Sequence, residues 1–470
     1  ITDVVVSPGS RNAPLSLAFF AASKRGLIKL HVRIDERTAA FFALGIIKAS
    51  GRPVPIVCTS GTAVANYHPA VLEASHTNAP LLVLTADRPA ILRKTGANQT
   101  TEQARIYGKA VRYFADIDGP VFPMELPFDS LRSGPVHLNV QFDEPMLPDD
   151  SDKWLDEIVI SAKAFESRTK PTTLKSDASR GVLVIGHDRG GLNIESVRKF
   201  AKELGWPIIA EDPLSFPDAV AHASIFLTSA QIRAALIPQT VIVIGRTTLS
   251  RSINTFLKLA PTQIVIDPRM ATVDSDRYAD KRFTQIPELN THKASPEWLE
   301  QWEKYSLRCG KSVDGLTGFT EAVIAREIAA NLPDGSTLFV SSSRPIRDLE
   351  GFAAPRSGVT THANRGLAGI DGNISTALGI ACASKQTFAV LGDLSFLHDL
   401  TGLIQREEIN CAFIVINNDG GGIFSTLPQR GVDGFESVFG TPHGLDPAAI
   451  AAAMGISAST ISSVDELKKI

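Results

Sequence analysis

The sequence predicts an α/β protein of three doubly wound, parallel-sheet domains. Three observations carry that expectation. Short apolar runs alternate with helical patterns along the chain, the pattern of a parallel sheet covered on both faces. The strand signals fall into three groups, separated by Pro/Asp-rich or polar stretches. The length, 470 residues, exceeds what one core usually serves and suits domains of roughly 150 residues.

The first group comprises "DVVVS" from Asp3, the helix-like "APLSLAFFAAS", "KLHVRI", a helix after Asp35, "VPIVCTS", a helix after "GTAVAN", "PLLVLTA" and "GPVHLNV". In the second helix Asp35 stands at an N-cap position, and Ala40, Leu44 and Ile47 repeat at helical spacing. Alone, Glu36 there reads as a first-turn acid favouring the positive end of the helix dipole, worth under about 1 kcal/mol. "FDEPMLPDDSDKW" then reads as a linker. The second group is "GVLVIG", "PIIAED", "TVIVIG" and "QIVID". "GHDRGG" after the first of these lacks the GxGxxG spacing and is a weak nucleotide signal. Helix-prone residues 290–320 lead to the third group, "STLFVS", "TFAVLGD" and "CAFIVINN". The expected domains are 1–148, 149–315 and 316–470.

Hydrophobic residues make up 44% and charged residues 21%, the balance of a globular protein. A net charge of −3 without a Lys/Arg-rich run argues against nucleic acid. The four cysteines, Cys58, Cys309, Cys382 and Cys411, are far apart and lack zinc-type spacing. No run reaches the roughly 18 apolar residues of a membrane span, and no signal peptide is seen. A cytoplasmic enzyme is expected. The chain starts at Ile1 just before a strand signal and stops in "SVDELKKI", which reads as mid-domain helix. Pieces at both ends are therefore expected to be absent.

In the third group one strand ends in Gly392-Asp393 and another in Asn417-Asn418, followed by Gly420, Gly421 and Gly422. Asp393 and Asn418 are 25 positions apart, room for one crossover helix between neighbouring strands. Both would then lie at carboxyl ends of strands, where open α/β sheets bind ligands. Magnesium takes oxygen ligands, which Asp393, the Asn418 side chain and a carbonyl near Gly420 would supply. Glycines let the backbone approach a diphosphate closely. Separately, GD and NN are turn signals and GGG a flexible loop; together, at this spacing, they point to a metal–diphosphate site.

Gly392-Asp393 with Asn417-Asn418 resembles the motif of thiamine-diphosphate enzymes. More narrowly, "SPGSRNAPL", "DERTAAFFALG", "TSGTAVANYHPAVLEA", "LTADRP", "GANQTT", "NRGLAGIDGNIST", "GDLSFLHDLTGL" and "NNDGGGIFS" resemble the 2-succinyl-5-enolpyruvyl-6-hydroxy-3-cyclohexene-1-carboxylate synthases of menaquinone biosynthesis. The likeness is strong in the outer domains and weak in the middle one. It implies a homodimer or homotetramer of the thiamine-diphosphate-enzyme type that uses thiamine diphosphate with Mg²⁺ (or Mn²⁺). Its substrates would be 2-oxoglutarate and isochorismate. Glu36 would bond N1′ of the cofactor's aminopyrimidine and relay a proton, which calls for a desolvated carboxyl.

By the same resemblance, Gly392, Asp393, Leu394, Ser395, Asn418, Gly420 and Gly421 bind the cofactor; Asp393, Asn418 and Gly420 hold the metal. Ile370 is the wedge that bends the cofactor, with Ile423 and Phe424 as pocket wall. Ser10, Arg11, Arg88, Gln99, Ser343, Arg347 and Arg365 line the substrate pocket. Both substrates are dicarboxylates, which suit planar guanidinium groups. Where some relatives carry Lys-Arg after "VIVIGR", this chain has Arg251-Ser252, so only Arg251 is carried over. His398 and His362 are candidate acids or bases by residue type, but His398, on the helix after Asp393, reads as a packing or capping residue. Two other readings stand beside this one: another thiamine enzyme, such as an acetolactate synthase or 2-oxo-acid decarboxylase, and a non-catalytic binding module of the same fold. The four loop arginines with "NRGLAGIDG" oppose the first, and Glu36 with the Asp393/Asn418 pair opposes the second.

Overall fold

The apolar runs of the first 145 residues, with one more polar strand, form a six-stranded sheet. Its strands are β1 (Asp3–Val6), β2 (Lys29–Val32), β3 (Val54–Cys58), β4 (Leu81–Asp87), β5 (Tyr113–Ile117) and β6 (Val136–Gln141), in the order β2-β1-β3-β4-β6-β5 and with parallel pairing throughout. This computed structural model describes residues 1–119, 126–148, 152–158, 172–269, 279–404 and 408–469. The chain divides into two compact units: Ile1–Arg168 with Gly366–Thr387 and Ser395–Ala412, and Thr169–Arg365 with Phe388–Leu394 and Phe413–Ile470.

In the first unit every residue of β3 and β4 is buried, as a sheet covered on both faces requires. The half-exposed edge strand β5, "YFADI", has no apolar run and was not expected from the sequence. The helix Glu36–Ser50 starts at Asp35, whose carboxylate accepts from Arg37 N at 3.0 Å, and ends at Gly51 in the left-handed region with φ 68°. It is buried without a break from Thr38 to Ile47 because the helix Asn373–Ala381 packs on it. Glycines permit this close crossing. A Cβ on Gly45 would lie 2.1 Å from Thr376 O, and one on Gly379 would lie 2.0 Å from Phe42 O.

The second unit carries the other three sheets. β7 (Thr173–Ser176) pairs with β13 (Glu288–Thr291). β8 (Gly181–Ile185), β9 (Ile208–Ala210), β10 (Thr240–Ile244), β11 (Thr262–Ile266) and β12 (Lys281–Phe283) form a parallel sheet in the order β12-β11-β10-β8-β9. Trp298 and Trp302 of the helix Pro296–Asp314 complete its core. β14 (Ser336–Val340), β15 (Val359–His362), β16 (Thr387–Gly392) and β17 (Cys411–Ile416) follow in the order β15-β14-β16-β17. β16 and β17 are neighbours, as the Asp393/Asn418 spacing requires. β7, β12, β13 and β15 are short and partly polar, which hid them in the sequence.

Among the described residues no helix is long and apolar enough to cross a membrane. The linker stretch 142–154 includes residues 149–151, which lie outside the described residues.

Candidate active site

Asp393 follows β16 and is 2% exposed. Its Oδ2 accepts from Gly420 N at 2.8 Å, Asn418 N at 3.2 Å and His443 Nε2 at 3.3 Å; its Oδ1 accepts from Leu394 N at 2.7 Å. Leu445 N donates to His443 Nδ1 at 2.9 Å, so the imidazole hydrogen sits on Nε2 and points at Asp393. One carboxylate therefore shapes the loop after β17, and Oδ1, with a single donor, keeps a lone pair for a cation.

Asn418 Nδ2 donates to Glu321 Oε1 at 2.6 Å. A carboxylate only accepts, so the amide oxygen faces away from Glu321 and is available to a hard cation. The glycines are required by close approach: a Cβ on Gly420, whose φ is 137°, would lie 2.1 Å from Gly440 O, and one on Gly421 2.2 Å from Phe439 O. A Cβ on Gly392 would meet open space instead, which is room for a ligand beside the strand end. Oxygen donors, nearby loop amides and this opening fit a divalent cation carrying a diphosphate. Ile423 and Phe424 lie half-buried on the turn Gly422–Thr426, Phe424 5.6 Å from the Phe439 ring.

In the first unit Glu36 opens its helix half-buried, and its carboxylate makes no hydrogen bond among the described residues. It lies close to Cys58 and Tyr67: burial pushes the Cys58 thiol and Tyr67 hydroxyl well up, and the charge of Glu36 adds to both. A carboxylate without a hydrogen-bond partner, set against a buried wall, fits a ligand that donates. Ser395, also of this unit, accepts from Asn373 Nδ2 at 2.9 Å and donates to Ile370 O at 3.2 Å. It thereby fixes the turn bearing half-buried Ile370.

The predicted arginines fall into two local groups. In the first unit Arg88 Nη1 donates to Ser60 Oγ and Gln99 O, both at 2.7 Å, while Gln99 Nε2 donates to Ser60 O at 3.0 Å. Burial and neighbouring Arg11 lower the Arg88 guanidinium's pKa. Arg11 Nη1 donates to Phe142 O at 3.0 Å. Exposed Ser10 sits on the same loop, whose Gly9 packs on Thr59, the residue before Ser60. Arg11, Arg88, Gln99 and Ser60 thus gather at one end of this unit's sheet.

In the second unit Arg365 is 3% exposed and donates to Thr248 and Ser342. Arg347 Nη1 donates to Ser343 O at 2.8 Å, and Ser343 itself holds φ 76° at the head of the helix Arg344–Phe352. Arg251 is exposed at the start of the helix Arg251–Leu257 and is brought to no partner among the described residues. His398, exposed in the last turn of the helix Asp393–His398, is suited to the helix end and not to packing; His362 is half-buried in β15. The weak "GHDRGG" signal is filled from within: Gly190 N donates to Asp188 Oδ1, and a Cβ on Gly190 would meet Arg269 Nε at 2.8 Å.

Sequence reasoning missed the residues that hold these groups. Glu73, 3% exposed, accepts from Gly366 N at 2.8 Å and Leu367 N at 2.7 Å. Ser60, Glu211, Thr248, Glu321 and His443 play comparable parts. Only His443 carried a signal, as a histidine in a Gly/Pro-rich loop.

Residues 1–106 match the family described as thiamine pyrophosphate enzyme, N-terminal TPP binding domain. Residues 148–340 match the middle domain of thiamine pyrophosphate enzymes, and 348–470 the C-terminal TPP binding domain. A solved structure from Mycobacterium smegmatis, described as a candidate thiamin diphosphate-dependent enzyme, superposes with a TM-score of 0.68 at 17% identity. The match spans 100% of this chain and 93% of that one and shows a shared fold. The 2-succinyl-5-enolpyruvyl-6-hydroxy-3-cyclohexene-1-carboxylate synthase of Thermobifida fusca is 38% identical over 100% of this chain and 90% of its own. The enzyme of the same name from Nocardioides sp. is 39% identical over 100% and 89%, and that from Lysinibacillus sphaericus 36% over 99% and 89%. At that identity over nearly the whole of each chain, this protein belongs to the 2-succinyl-5-enolpyruvyl-6-hydroxy-3-cyclohexene-1-carboxylate synthase family of thiamine-diphosphate enzymes.

Proposed function

We propose that the protein is a transferase of menaquinone biosynthesis. It decarboxylates 2-oxoglutarate and joins the remaining four-carbon unit to isochorismate, giving 2-succinyl-5-enolpyruvyl-6-hydroxy-3-cyclohexene-1-carboxylate and carbon dioxide. Full-length likeness to enzymes of that name carries the reading. The site is consistent with it: a carboxylate–amide–glycine cradle at Asp393, an unengaged carboxylate at Glu36, and Arg88, Arg347 and Arg365 donating to hydroxyl and carbonyl oxygens. Thiamine diphosphate, when bound, supplies the nucleophilic carbon and electron sink that decarboxylation needs.

The chain's own residues do the rest. Asp393, Asn418 and the Gly420 carbonyl would hold Mg²⁺ or Mn²⁺, with Gly392, Leu394 and Gly421 beside the diphosphate. Ile370, Ile423 and Phe424 would wall the cofactor, and Ser395 steadies Ile370. Glu36 would hold a proton at N1′ of the aminopyrimidine. Arg88 and Arg365, with Ser10, Arg11, Gln99, Arg251, Ser343 and Arg347, would fix substrate carboxylates.

Domain limits at 148/149 and 315/316, a cytoplasmic location and a dimer or tetramer complete the proposal. A site shared between subunits predicts that mixing inactive Glu36→Gln and Asp393→Ala subunits restores activity; inactive verified heterodimers would place the site within one chain. The decisive assay is mass spectrometry after incubation with both substrates, Mg²⁺ and thiamine diphosphate. The coupled adduct is expected, and succinic semialdehyde alone would favour a plain decarboxylase.

A further inference from the structure

The ends of β8, β9 and β10 in the central sheet converge on one buried acid. Glu211, 1% exposed, lies just after β9. Its Oε1 accepts from Thr248 N at 2.6 Å and Leu249 N at 2.8 Å, and its Oε2 accepts from His187 N at 3.0 Å. Three backbone donors on two separate loops are thereby tied to one carboxylate. The loop after β10 has no freedom to shift without stranding them.

That loop grips Arg365 at both ends. Thr248 Oγ1 accepts from Arg365 Nη2 at 2.9 Å and Nε at 3.2 Å. Arg246 Nη2 donates to the Arg365 carbonyl at 2.9 Å, and Asp188 Oδ2 anchors that same Nη2 at 2.5 Å. Ser342 Oγ accepts from Arg365 Nη1 at 3.3 Å. Thr248 O also accepts from Arg365 Nη2 at 3.4 Å, and because a guanidinium is planar, fixing its Nε–Nη2 edge fixes the orientation of the whole group. Burial raises both Glu211 and nearby Glu350, Glu350 further. The backbone amides of His187, Leu249 and Thr248 act against that burial at Glu211 and lower it.

We propose that Thr248, set by Glu211, is a positioning residue that orients the Arg365 guanidinium for the acceptor's carboxylate. The central domain then has a catalytic purpose: its strand ends aim a substrate arginine that another part of the chain supplies. This rests on the reading of Arg365 as an acceptor contact.

The test compares Thr248→Val, Thr248→Ser, Glu211→Gln and Arg365→Ala in the full chain with thiamine diphosphate and Mg²⁺. Thr248→Val should raise KM for isochorismate roughly ten- to hundredfold, the loss of a hydrogen bond to a charged group. KM for 2-oxoglutarate and cofactor affinity should hold, and Thr248→Ser, which keeps the hydroxyl, should restore most of the loss. Thr248→Val added to Arg365→Ala should do no further harm, because both act through one contact. Glu211→Gln, checked for folding by its melting temperature, should shift the same KM in the same direction. If Arg365→Ala raises KM for isochorismate but Thr248→Val does not, or if their effects add, the positioning role is wrong. If Arg365→Ala leaves that KM unchanged, the acceptor reading falls and the positioning role with it.

Discussion

Asp393 and Glu36 are both carboxylates at the start of a helix, yet their surroundings are opposite. Asp393 is 2% exposed and accepts from four donors, three of them in the chain after β17. Glu36 is half-buried and accepts from none among the described residues. A carboxylate gripped by its own chain, with a lone pair left on Oδ1, is built to hold structure and a cation. One left without donors beside Cys58 and Tyr67 is built to meet a ligand's proton. The difference teaches that the two acids should fail differently when removed.

The largest expected effect is on turnover in Glu36→Gln, a fall of roughly 10²–10⁴, the range of general acid–base catalysis, with the melting temperature unchanged. Asp393→Ala should instead lose Mg²⁺–thiamine diphosphate affinity and roughly 2–4 kcal/mol of stability, because it strands three buried or half-buried amides. Calorimetry of cofactor binding and denaturant unfolding measure both; unchanged cofactor affinity would remove Asp393 from the metal site. Arg88→Ala or Arg365→Ala should weaken coupling to isochorismate by roughly 2–5 kcal/mol with cofactor affinity kept, and should raise succinic semialdehyde release. Wild-type coupling in both would end their assignment.

A smaller effect tests the ground under Glu36. Asp35 caps its helix and accepts from Thr401 Oγ1 at 2.8 Å. Asp399, two residues before Thr401, is 4% exposed, and burial pushes its carboxyl up to about 7, with Asp35 and Asp371 adding. Unfolded, it would titrate near about 4. The folded state therefore binds the extra proton, and its stabilisation is present below about pH 4 and lost as pH rises to about 7. Asp399→Asn removes that slope, so its melting temperature should rise relative to wild type between about pH 5 and 7.5. A constant difference across that range would show that Asp399 does not titrate there.

Much of the fold was legible because parallel strands buried on both faces are continuous apolar runs, as β3, β4, β8 and β10 are. β5, β7, β12, β13 and β15 escaped because short or edge strands carry polar residues that periodicity does not separate from loops. Asp393, Asn418 and the glycines could be found because spacing and residue type together encode their chemistry. Glu73, Glu211, Thr248 and Glu321 could not. Each acts through one long-range hydrogen bond or a few, and sequence spacing carries no trace of a partner tens or hundreds of residues away.

The most direct test of the contrast is hydrogen–deuterium exchange at C2 of thiamine diphosphate, saturating, in Glu36→Gln with Mg²⁺ present. The cofactor should bind with near wild-type affinity and exchange should slow by roughly 10²-fold or more, since shape is kept and the proton relay to N1′ is lost. Exchange at the wild-type rate would contradict the account and return Glu36 to a first-turn acid on its helix.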